Sequence, residues 1–298
     1  MPIERKSVKS AIIGGSAGFR FLAKHREELE PLGTITTPFG NSAPVYRYRS
    51  LGTDFFYISR HGDKGYNITA SFVNYRANIW ALKELGVERI IAWSGPAAID
   101  PTLKIGEIIV PGDLIDETRR REYTYFENLG LGFIRQSPTF CPELSSALAD
   151  AVRKRFGTCR TDDVYVCTEG PRLETPAEIR KFSACGGTLV GMTLIPEVFL
   201  AKELEICYAP VCYITNYAEG VRKRSFRPGV LFEGLLDDSE SAQVDAAVAS
   251  IAELAVSVIA GIETKERECR CPLFMERYRR RGDIGEDWHT WICPNEGN

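Results

Sequence analysis

Three side chains that follow apolar runs carry complementary hydrogen-bonding groups: Glu174, Thr193 and Asn216. The runs Asp163–Cys167 and Ile206–Thr215 are typical of buried parallel strands, because β-branched residues fill them and helical segments lie between them. Such strands present their polar ends to a shared crevice, so we expect functional groups there. A carboxylate and an amide in that position suit a heterocycle that carries an N–H beside a carbonyl.

The start of a helix lies directly after Glu174. Thr175 and Glu178 form a T-x-x-E capping box with Pro176 at the first helical position, so the sequence predicts a helix that begins there. This leaves Glu174 just outside the helix. A carboxylate near a helix N-terminus is also stabilised by the helix dipole, and a purely structural role for Glu174 stays open.

Two further groups suit an oxyanion. A short strand over residues 9–13 precedes the turn Gly14–Gly18, whose backbone N–H groups form a concavity for anions, although a plain tight turn is the alternative. A second strand over Asp54–Ser59 delivers Arg60 and His61 at its end. Arginine offers a planar fork of donors for phosphate oxygens and histidine can add another donor, whereas an exposed surface position is the alternative.

The elements that position these groups alternate along the chain. Helical periodicity predicts helices over Phe72–Leu85, Pro142–Phe156 and Asp237–Ile262, and a further strand spans Arg89–Trp93. Residues 119–141 are polar, aromatic and glycine-containing, which favours a long loop over a site.

Bulk properties exclude several classes of protein. A chain of 298 residues with a net charge of -3 has no general attraction to nucleic acid or to an anionic membrane. No run of 18 apolar residues and no apolar N-terminal segment is present, so we expect a cytoplasmic protein with no membrane partner. The nine cysteines are scattered and odd in number, which disfavours a secreted disulfide framework. Cys167, Cys207 and Cys212 lie in apolar runs and are expected to pack as small hydrophobic residues.

Several motifs resemble the trimeric purine nucleoside phosphorylases, a family that includes 5'-methylthioadenosine phosphorylase. The resemblance rests on EGPR, ETPAE, GMTLIPEVFLAKE and TNYA, together with Arg60-His61-Gly62 and VNYRANIWALKELG, and covers roughly residues 8 to 262. It implies a single three-layer α/β/α domain over residues 1–262 with a central mixed, partly barrel-like sheet. It also implies a homotrimer, inorganic phosphate as co-substrate and no other cofactor. Residues 263–298 form a cysteine-containing tail that the resemblance barely covers.

The resemblance also implies roles for individual residues. Catalytic roles fall to His61, Glu174 and Asn216. The residues implied for phosphate are Ser16, Arg60, His61, Trp93, Ser94 and Thr193. The residues implied for the nucleoside are Leu173, Glu174, Met192, Asn216 and Ala218. Related enzymes place small residues where this chain has Trp93 and Ser94, so the indole is expected to shrink or reshape the pocket.

The base preference follows from residue chemistry within the resemblance. Relatives that act on 6-aminopurines carry aspartates in a TDYD motif, whereas this chain has Thr215-Asn216-Tyr217-Ala218. Glu174 lies where 6-oxopurine enzymes place a glutamate that accepts from N1–H. We therefore predict inosine, guanosine or 5'-methylthioinosine as substrate. At the sugar's 5' end, the basic segment Arg222–Pro228 lacks a histidine, and Val230, Leu231 and Leu235 are candidates for an apolar lining.

Alternatives remain for the function and for the tail. The function alternatives are a 5'-methylthioadenosine phosphorylase, a nucleosidase that uses water in place of phosphate, and a catalytically silent nucleoside-binding protein. In the tail, Cys269, Cys271, His289 and Cys293 supply the four ligands of a zinc site at a nonstandard spacing. A Cys-x-Cys disulfide, as some related enzymes carry, or free thiols are favoured over zinc.

Overall fold

The computed structural model describes residues 8–50, 52–223, 228 and 236–292. A seven-stranded mixed sheet forms the centre of this part of the chain, in the order β2-β5-β6-β1-β7-β13-β9. Its strands are β1 Ser10–Gly14, β2 Leu29–Gly33, β5 Val45–Ser50, β6 Thr53–Ser59, β7 Arg89–Ser94, β9 Ile108–Ile109 and β13 Cys207–Tyr213. The four central strands β6, β1, β7 and β13 are parallel, whereas the outer pairs are antiparallel.

A smaller sheet of four strands lies beside the first, in the order β10-β11-β12-β8. Its strands are β8 Ala97–Ala98, β10 Asp113–Glu117, β11 Val164–Thr168 and β12 Leu189–Gly191. A two-stranded hairpin is made of β3 Thr36–Thr37 and β4 Gly40–Asn41. The predicted mixed α/β class is confirmed. The two apolar runs that we expected to share one crevice as strands belong to different sheets, since β11 lies in the smaller sheet and β13 in the larger.

Seven α-helices cover the sheets within the described residues. They are α1 Gly18–Lys24, α2 Tyr75–Glu84, α3 Pro142–Phe156, α4 Pro176–Ala184, α5 Glu197–Glu203, α6 Asp238–Ile262 and α7 Glu276–Arg281. The apolar faces of α1, α3 and α6 pack on one side of the large sheet, in a cluster that includes Phe21, Leu148 and Ile251. Helices α2 and α5 pack on the other side. The large sheet therefore forms the middle of three layers.

Local sequence signals explain where the helices begin. The Thr175 hydroxyl accepts from the backbone N–H of Glu178, and the backbone N–H of Thr175 donates to the Glu178 carboxylate, so the predicted capping box of α4 is confirmed. Asp237 and Glu240 form a second capping box at the start of α6. Pro142 lies at the first turn of α3, where a missing N–H has no cost.

Helix α6 is long and apolar enough to cross a bilayer, judged by length and composition only. In the structure, its residues Ala247, Ile251, Leu254 and Ala255 are buried in the core shared with α3 and the large sheet. This is the environment of a core helix, whose apolar face is wide because it covers a sheet.

The tail after α6 folds back onto the body of the protein. Glu205, at the end of the α5 segment, accepts hydrogen bonds from the backbone of Met275 and from the guanidinium of Arg279. Met275, Tyr278 and Trp291 form a small core with Phe126 of the loop 119–141. Described tail residues therefore share apolar packing with the body of the chain.

Candidate functional site

The turn between β1 and α1 lies against the end of β7. A methyl group added at Gly15 would lie 2.7 Å from the carbonyl oxygen of Trp93 and 3.4 Å from Nη1 of Arg60. Only a residue without a side chain permits so close an approach of the two backbones. Ser16, the predicted phosphate ligand, is exposed on this turn, and its hydroxyl lies 3.5 Å from that of Tyr213.

Arg60 is fixed beneath this turn by a buried ion pair that the sequence analysis did not foresee. Its Nε and Nη2 donate to the two carboxylate oxygens of Glu197, each at 2.7 Å, and both side chains have zero exposure. Nη1 donates to the carbonyl of Trp93 at 2.9 Å. Burial works to lower the pKa of Arg60, but the Glu197 carboxylate outweighs burial and the pKa is raised, so the guanidinium is charged.

Tyr208 completes this arrangement from β13. Its hydroxyl donates to the Glu197 carboxylate at 2.7 Å, so three donors share one buried acid. Glu197 is the first glutamate of the GMTLIPEVFLAKE motif. The motif alone does not show that this glutamate pairs with Arg60, which lies far away in the chain.

His61 is buried beside Arg60. Its Nδ1 lies 2.8 Å from the carbonyl oxygen of Ile68, and its ring stacks on Tyr66. Burial, together with the charge of Arg60, lowers the pKa of His61 to about 3, so the ring is neutral near pH 7. Because Nδ1 faces an acceptor, it carries the proton and Nε2 keeps its lone pair. His61 was predicted to donate to an oxyanion, whereas in this tautomer the Nδ1–H is used by the carbonyl of Ile68 and Nε2 is an acceptor.

Consecutive residues at the end of β7 face opposite sides of the sheet, as strand geometry requires. The indole of Trp93 packs with Phe21 and Tyr57 in the core on the α1 side, with ring centroids 6.0 and 5.8 Å away. The hydroxyl of Ser94 lies 3.0 Å from those of both Thr193 and Tyr165. The indole therefore belongs to the core on the α1 side, whereas Ser94 and Thr193 form a hydroxyl cluster.

Glu174 is linked to the segment that carries Thr193 through the hydroxyl of Thr168. The hydroxyl of Thr168, the last residue of β11, donates to the Glu174 carboxylate at 2.5 Å and lies 3.4 Å from the carbonyl of Gly191. Gly191 lies two residues before Thr193, so the predicted base-binding acid and the predicted phosphate-binding hydroxyl are joined through a short stretch of backbone. Leu173 next to it is 39% exposed, so its side chain is accessible to a ligand.

Asn216 lies on the loop after β13, adjacent to the same end of β7. The neighbouring Thr215 packs against Gly95, where an added methyl group would lie 2.7 Å from its Cγ2. The Asn216 amide oxygen accepts from the Thr215 hydroxyl at 2.6 Å, and the amide nitrogen donates to the carbonyl of Tyr217 at 2.9 Å. These contacts orient the amide and use one of its two N–H hydrogens.

Ala218, another residue predicted to bind the nucleoside, lies two residues after Asn216. Ala218 is buried in a small apolar cluster with Ile179 and Phe182 of α4, and Gly220 lies against Pro176. The Asn216 loop is therefore held against the helix that follows Glu174. Val230, Leu231 and Leu235 lie outside the described residues.

Arg121 is a positioning residue that the sequence analysis missed, because it assigned no chemistry to the loop 119–141. Its guanidinium donates to the carbonyls of Met192 and Ile195 on one side and to those of Thr168 and Glu169 on the other. It thereby ties the end of β11 to the loop that carries Thr193. The sulfur of Met192 lies close to Gly170, where an added methyl group would approach it to 2.5 Å.

The predicted zinc ligand set requires correction. Cys269 and Cys271 lie with Cys141 and Cys207, and the four sulfur atoms are within 4.8 Å of one another. The ring of His289 instead contacts the carboxylates of Glu84 and Asp287, each at 2.8 Å. The predicted ligands were all taken from the tail because they are close together in the sequence. In the folded chain, Cys141 and Cys207 come from distant segments and lie beside the tail cysteines. Cys293 lies outside the described residues. Cys207, which was expected to pack as a small hydrophobic residue, also lies against the thiol of Cys269.

A separate cavity lies between residues 110–112, Pro138, Phe140 and helix α3. None of the predicted site residues lines it. Groups with the chemistry for an anion instead meet at the end of β7, from the loops after β1, β6, β12 and β13. Glu174, after β11, is linked to the Thr193 loop through Thr168.

Comparison with known proteins agrees with this arrangement. Residues 9–260 match the model of the phosphorylase superfamily. Over 243 residues, the chain is 39% identical to a probable S-methyl-5'-thioinosine phosphorylase of Methanothermobacter thermautotrophicus, covering 82% of this chain and 83% of that protein. Over 268 residues, it is 38% identical to the 6-oxopurine nucleoside phosphorylase of Pyrococcus furiosus, covering 88% and 95%.

Solved structures give the same family. A methylthioadenosine phosphorylase from an Antarctic soil metagenomic library superposes with a TM-score of 0.77 at 26% identity, over 91% of each chain. A methylthioadenosine phosphorylase from Schistosoma mansoni in complex with adenine has a TM-score of 0.74 at 28% identity, covering 87% of this chain and 93% of that one. The resemblance seen in the sequence is therefore confirmed, and the chain belongs to the phosphorylase superfamily.

Proposed function

We propose that this protein is a purine nucleoside phosphorylase that cleaves 6-oxopurine nucleosides with inorganic phosphate in purine salvage. The observation that carries the proposal is the convergence on the end of β7. Arg60 lies beneath the Gly15 turn, and Ser94 and Thr193 present hydroxyls. Glu174 is linked through the hydroxyl of Thr168 to the carbonyl of Gly191, two residues before Thr193. The names of the relatives from Methanothermobacter and Pyrococcus support the same reaction class.

The reaction needs two kinds of group on opposite sides of the sugar. A phosphate oxygen forms a bond to C1' while the bond from C1' to the purine nitrogen breaks, and its electron pair leaves with the base. Positive charge develops on the sugar and negative charge on the purine, so an anion on one side and hydrogen bonds to the base on the other lower the barrier. Charged Arg60 suits the anion, and the second N–H of Asn216 suits the departing base.

The preferred base follows from the hydrogen-bonding groups of Glu174 and Asn216. A 6-oxopurine presents an N1–H donor and an O6 acceptor, whereas adenine presents an acceptor at N1 and an amino donor. The Glu174 carboxylate accepts from N1–H, and Asn216 supplies an N–H to the base. Adenine would leave buried polar groups unpaired at about 1–3 kcal/mol each, which over two contacts gives strong discrimination.

A second candidate is cleavage of 5'-methylthioadenosine. It is favoured by the structural similarity to methylthioadenosine phosphorylases, one of which binds adenine. Against it stands Thr215-Asn216-Tyr217-Ala218, which lacks the aspartates that suit a 6-aminopurine. A nucleosidase and a silent nucleoside-binding protein remain alternatives of other classes.

A substrate panel tests the proposal. Inosine, guanosine, 5'-methylthioinosine, adenosine and 5'-methylthioadenosine are each incubated with the protein, with and without phosphate, and free base is measured by chromatography. We expect base release from the 6-oxopurines only when phosphate is present. Release without phosphate would identify a nucleosidase. Preference for 5'-methylthioadenosine would transfer the assignment to the second candidate, and ligand-induced thermal stabilisation without product would identify a binding protein.

The proposal includes a cytoplasmic homotrimer that uses inorganic phosphate as its only co-substrate. Support for the trimer and for phosphate as co-substrate comes from the family resemblance. Light scattering on the purified protein measures the oligomeric state, and a mass of a monomer or dimer would contradict the trimer.

A further inference from the structure

Four cysteines from three distant segments meet at one end of the large sheet. Cys141 precedes the first residue of α3, Cys207 is the first residue of β13, and Cys269 and Cys271 belong to the tail. Three of the four side chains are buried and Cys269 is half-buried. All four are free thiols, and none belongs to the site at the end of β7.

The spacing of their sulfur atoms suits one tetrahedral metal ion. All four Sγ atoms lie within 4.8 Å of one another, and those of Cys207 and Cys269 are 3.3 Å apart. Zinc binds thiolate sulfur at about 2.3 Å, which places the sulfur atoms of a tetrahedral site about 3.8 Å apart. The observed separations bracket that value, so small movements of the side chains would complete the coordination.

The surroundings suit a cluster of thiolates. A small cavity is lined by Cys141, Cys207 and Arg89, and the Arg89 Nη1 is a buried donor with no hydrogen-bond partner among the described residues. Cys141 caps the 15-residue helix α3, whose N-terminal end favours negative charge. Four thiolates around a divalent cation carry two net negative charges, which the helix end and the Arg89 guanidinium offset in part, since Arg89 also lies 4.0 Å from the carboxylate of Glu143.

We propose that Cys141, Cys207, Cys269 and Cys271 bind one zinc ion in a closed structural site. Binding releases four protons as the thiols become thiolates, and the filled tetrahedron leaves no position for a substrate. The ion joins the start of α3, the start of β13 and the tail, so its role is to fasten the tail to the sheet. The assignment is independent of the proposed reaction, because metal content rather than turnover reports it.

Metal analysis under reducing, oxygen-free conditions tests the site. The protein is expressed with added zinc, purified with a reductant, and its zinc, iron and copper are measured by inductively coupled plasma mass spectrometry. We expect about one zinc per chain, the stoichiometry of a single four-cysteine site. Cys271→Ser should lose the metal, whereas Cys185→Ser, at an exposed cysteine outside the cluster, should retain it.

A second measurement covers the case in which Cys271→Ser does not fold. The wild-type metal is removed with a chelator and replaced by cobalt, whose tetrahedral thiolate complex has intense visible bands and charge-transfer bands in the near ultraviolet. We expect those bands, a higher Tm on adding zinc to the reduced metal-free protein, and protection of four thiols from alkylation. Reduced protein that takes up no zinc would overturn the proposal, as would disulfides that link these cysteines in freshly isolated protein. Iron in place of zinc would overturn the identity of the metal.

Discussion

The guanidinium of Arg60 and the carboxylate of Glu197 meet through two parallel hydrogen bonds of 2.7 Å, and neither side chain has any contact with solvent. The pair joins the end of β6 to the start of α5. The remaining nitrogen of the guanidinium, Nη1, donates to the carbonyl of Trp93. The charge proposed to hold phosphate is therefore oriented by a buried carboxylate and a backbone carbonyl.

Replacing Glu197 by glutamine should destabilise the protein strongly. Glu197→Gln leaves the buried Arg60 charge without its counter-ion, which costs about 3 kcal/mol or more. Urea unfolding measures the loss, and Glu253→Gln is the matched control because Glu253 pairs with Arg155 at the surface, where the cost is under about 1 kcal/mol. Equal effects of the two substitutions would show that the buried pair has no special role.

A methyl group at Gly15 should weaken phosphate binding. In Gly15→Ala the new Cβ would lie 2.7 Å from the carbonyl oxygen of Trp93, so the turn must move away from Arg60 at a cost of about 1–3 kcal/mol. We expect the KM for phosphate to rise about tenfold or more. Gly261→Ala, where an added methyl group meets open space in α6, is the control and should leave this KM unchanged. An unchanged phosphate KM in Gly15→Ala would separate the turn from phosphate binding.

The buried His61 should make the protein acid-sensitive. Its pKa is about 3 in the folded protein and 6.5 in the unfolded chain, so the unfolded chain binds more protons between these values. Stability should therefore fall as the pH drops from about 6.5 towards 3, by on the order of 1 kcal/mol per pH unit. Tm measured against pH should fall less steeply in His61→Asn than in the wild type over this window.

His289 gives a control with the opposite sign. Hydrogen bonds that His289 donates to the carboxylates of Asp287 and then Glu84 raise the pKa of His289, so its contribution is complete below pH 6.5 and is lost as the pH rises through the folded pKa. His289→Asn should therefore remove a small stabilisation at low pH and have no effect at high pH. If His61→Asn behaved in the same way as His289→Asn, the neutral buried state of His61 would be wrong.

Exchanging the amide of Asn216 should change the base preference. Asn216→Asp replaces an N–H donor with an acceptor, so it removes a bond to a 6-oxopurine and adds one that suits adenine. At about 1–3 kcal/mol per mismatched group, we expect kcat/KM for inosine to fall ~10- to 100-fold and that for adenosine to rise. Asn41→Asp, on the distant exposed hairpin, is the control. An unchanged ratio of the two substrates in Asn216→Asp would contradict the role of Asn216.

Local signals were sufficient to predict much of the fold. The capping box at Thr175 places the start of α4 at Pro176, and the apolar run from Arg89 forms β7 with Trp93 and Ser94 at its end. Proline at the start and glycine at the end bound α3 to Pro142–Phe156 as predicted. These predictions succeeded because each depends on residues adjacent in the chain.

The contacts that the sequence did not predict join residues that are far apart in the chain. The Arg60–Glu197 pair spans 137 positions, and the cysteine cluster joins Cys141 to Cys271. No periodicity encodes either pairing. Arg121 was missed for the same reason, because its four acceptors are backbone carbonyls that become neighbours only when β11 and the Thr193 loop come together.

The opposite facing of Trp93 and Ser94 has a practical consequence for protein engineering. Libraries at position 93 would explore the hydrophobic interior beside Phe21 and Tyr57, and selection there would act on folding yield. Libraries at position 94 would explore the hydroxyl network with Thr193 and Tyr165, and selection there would act on turnover. Two adjacent codons thus give separate access to the apolar core and to the hydroxyl cluster.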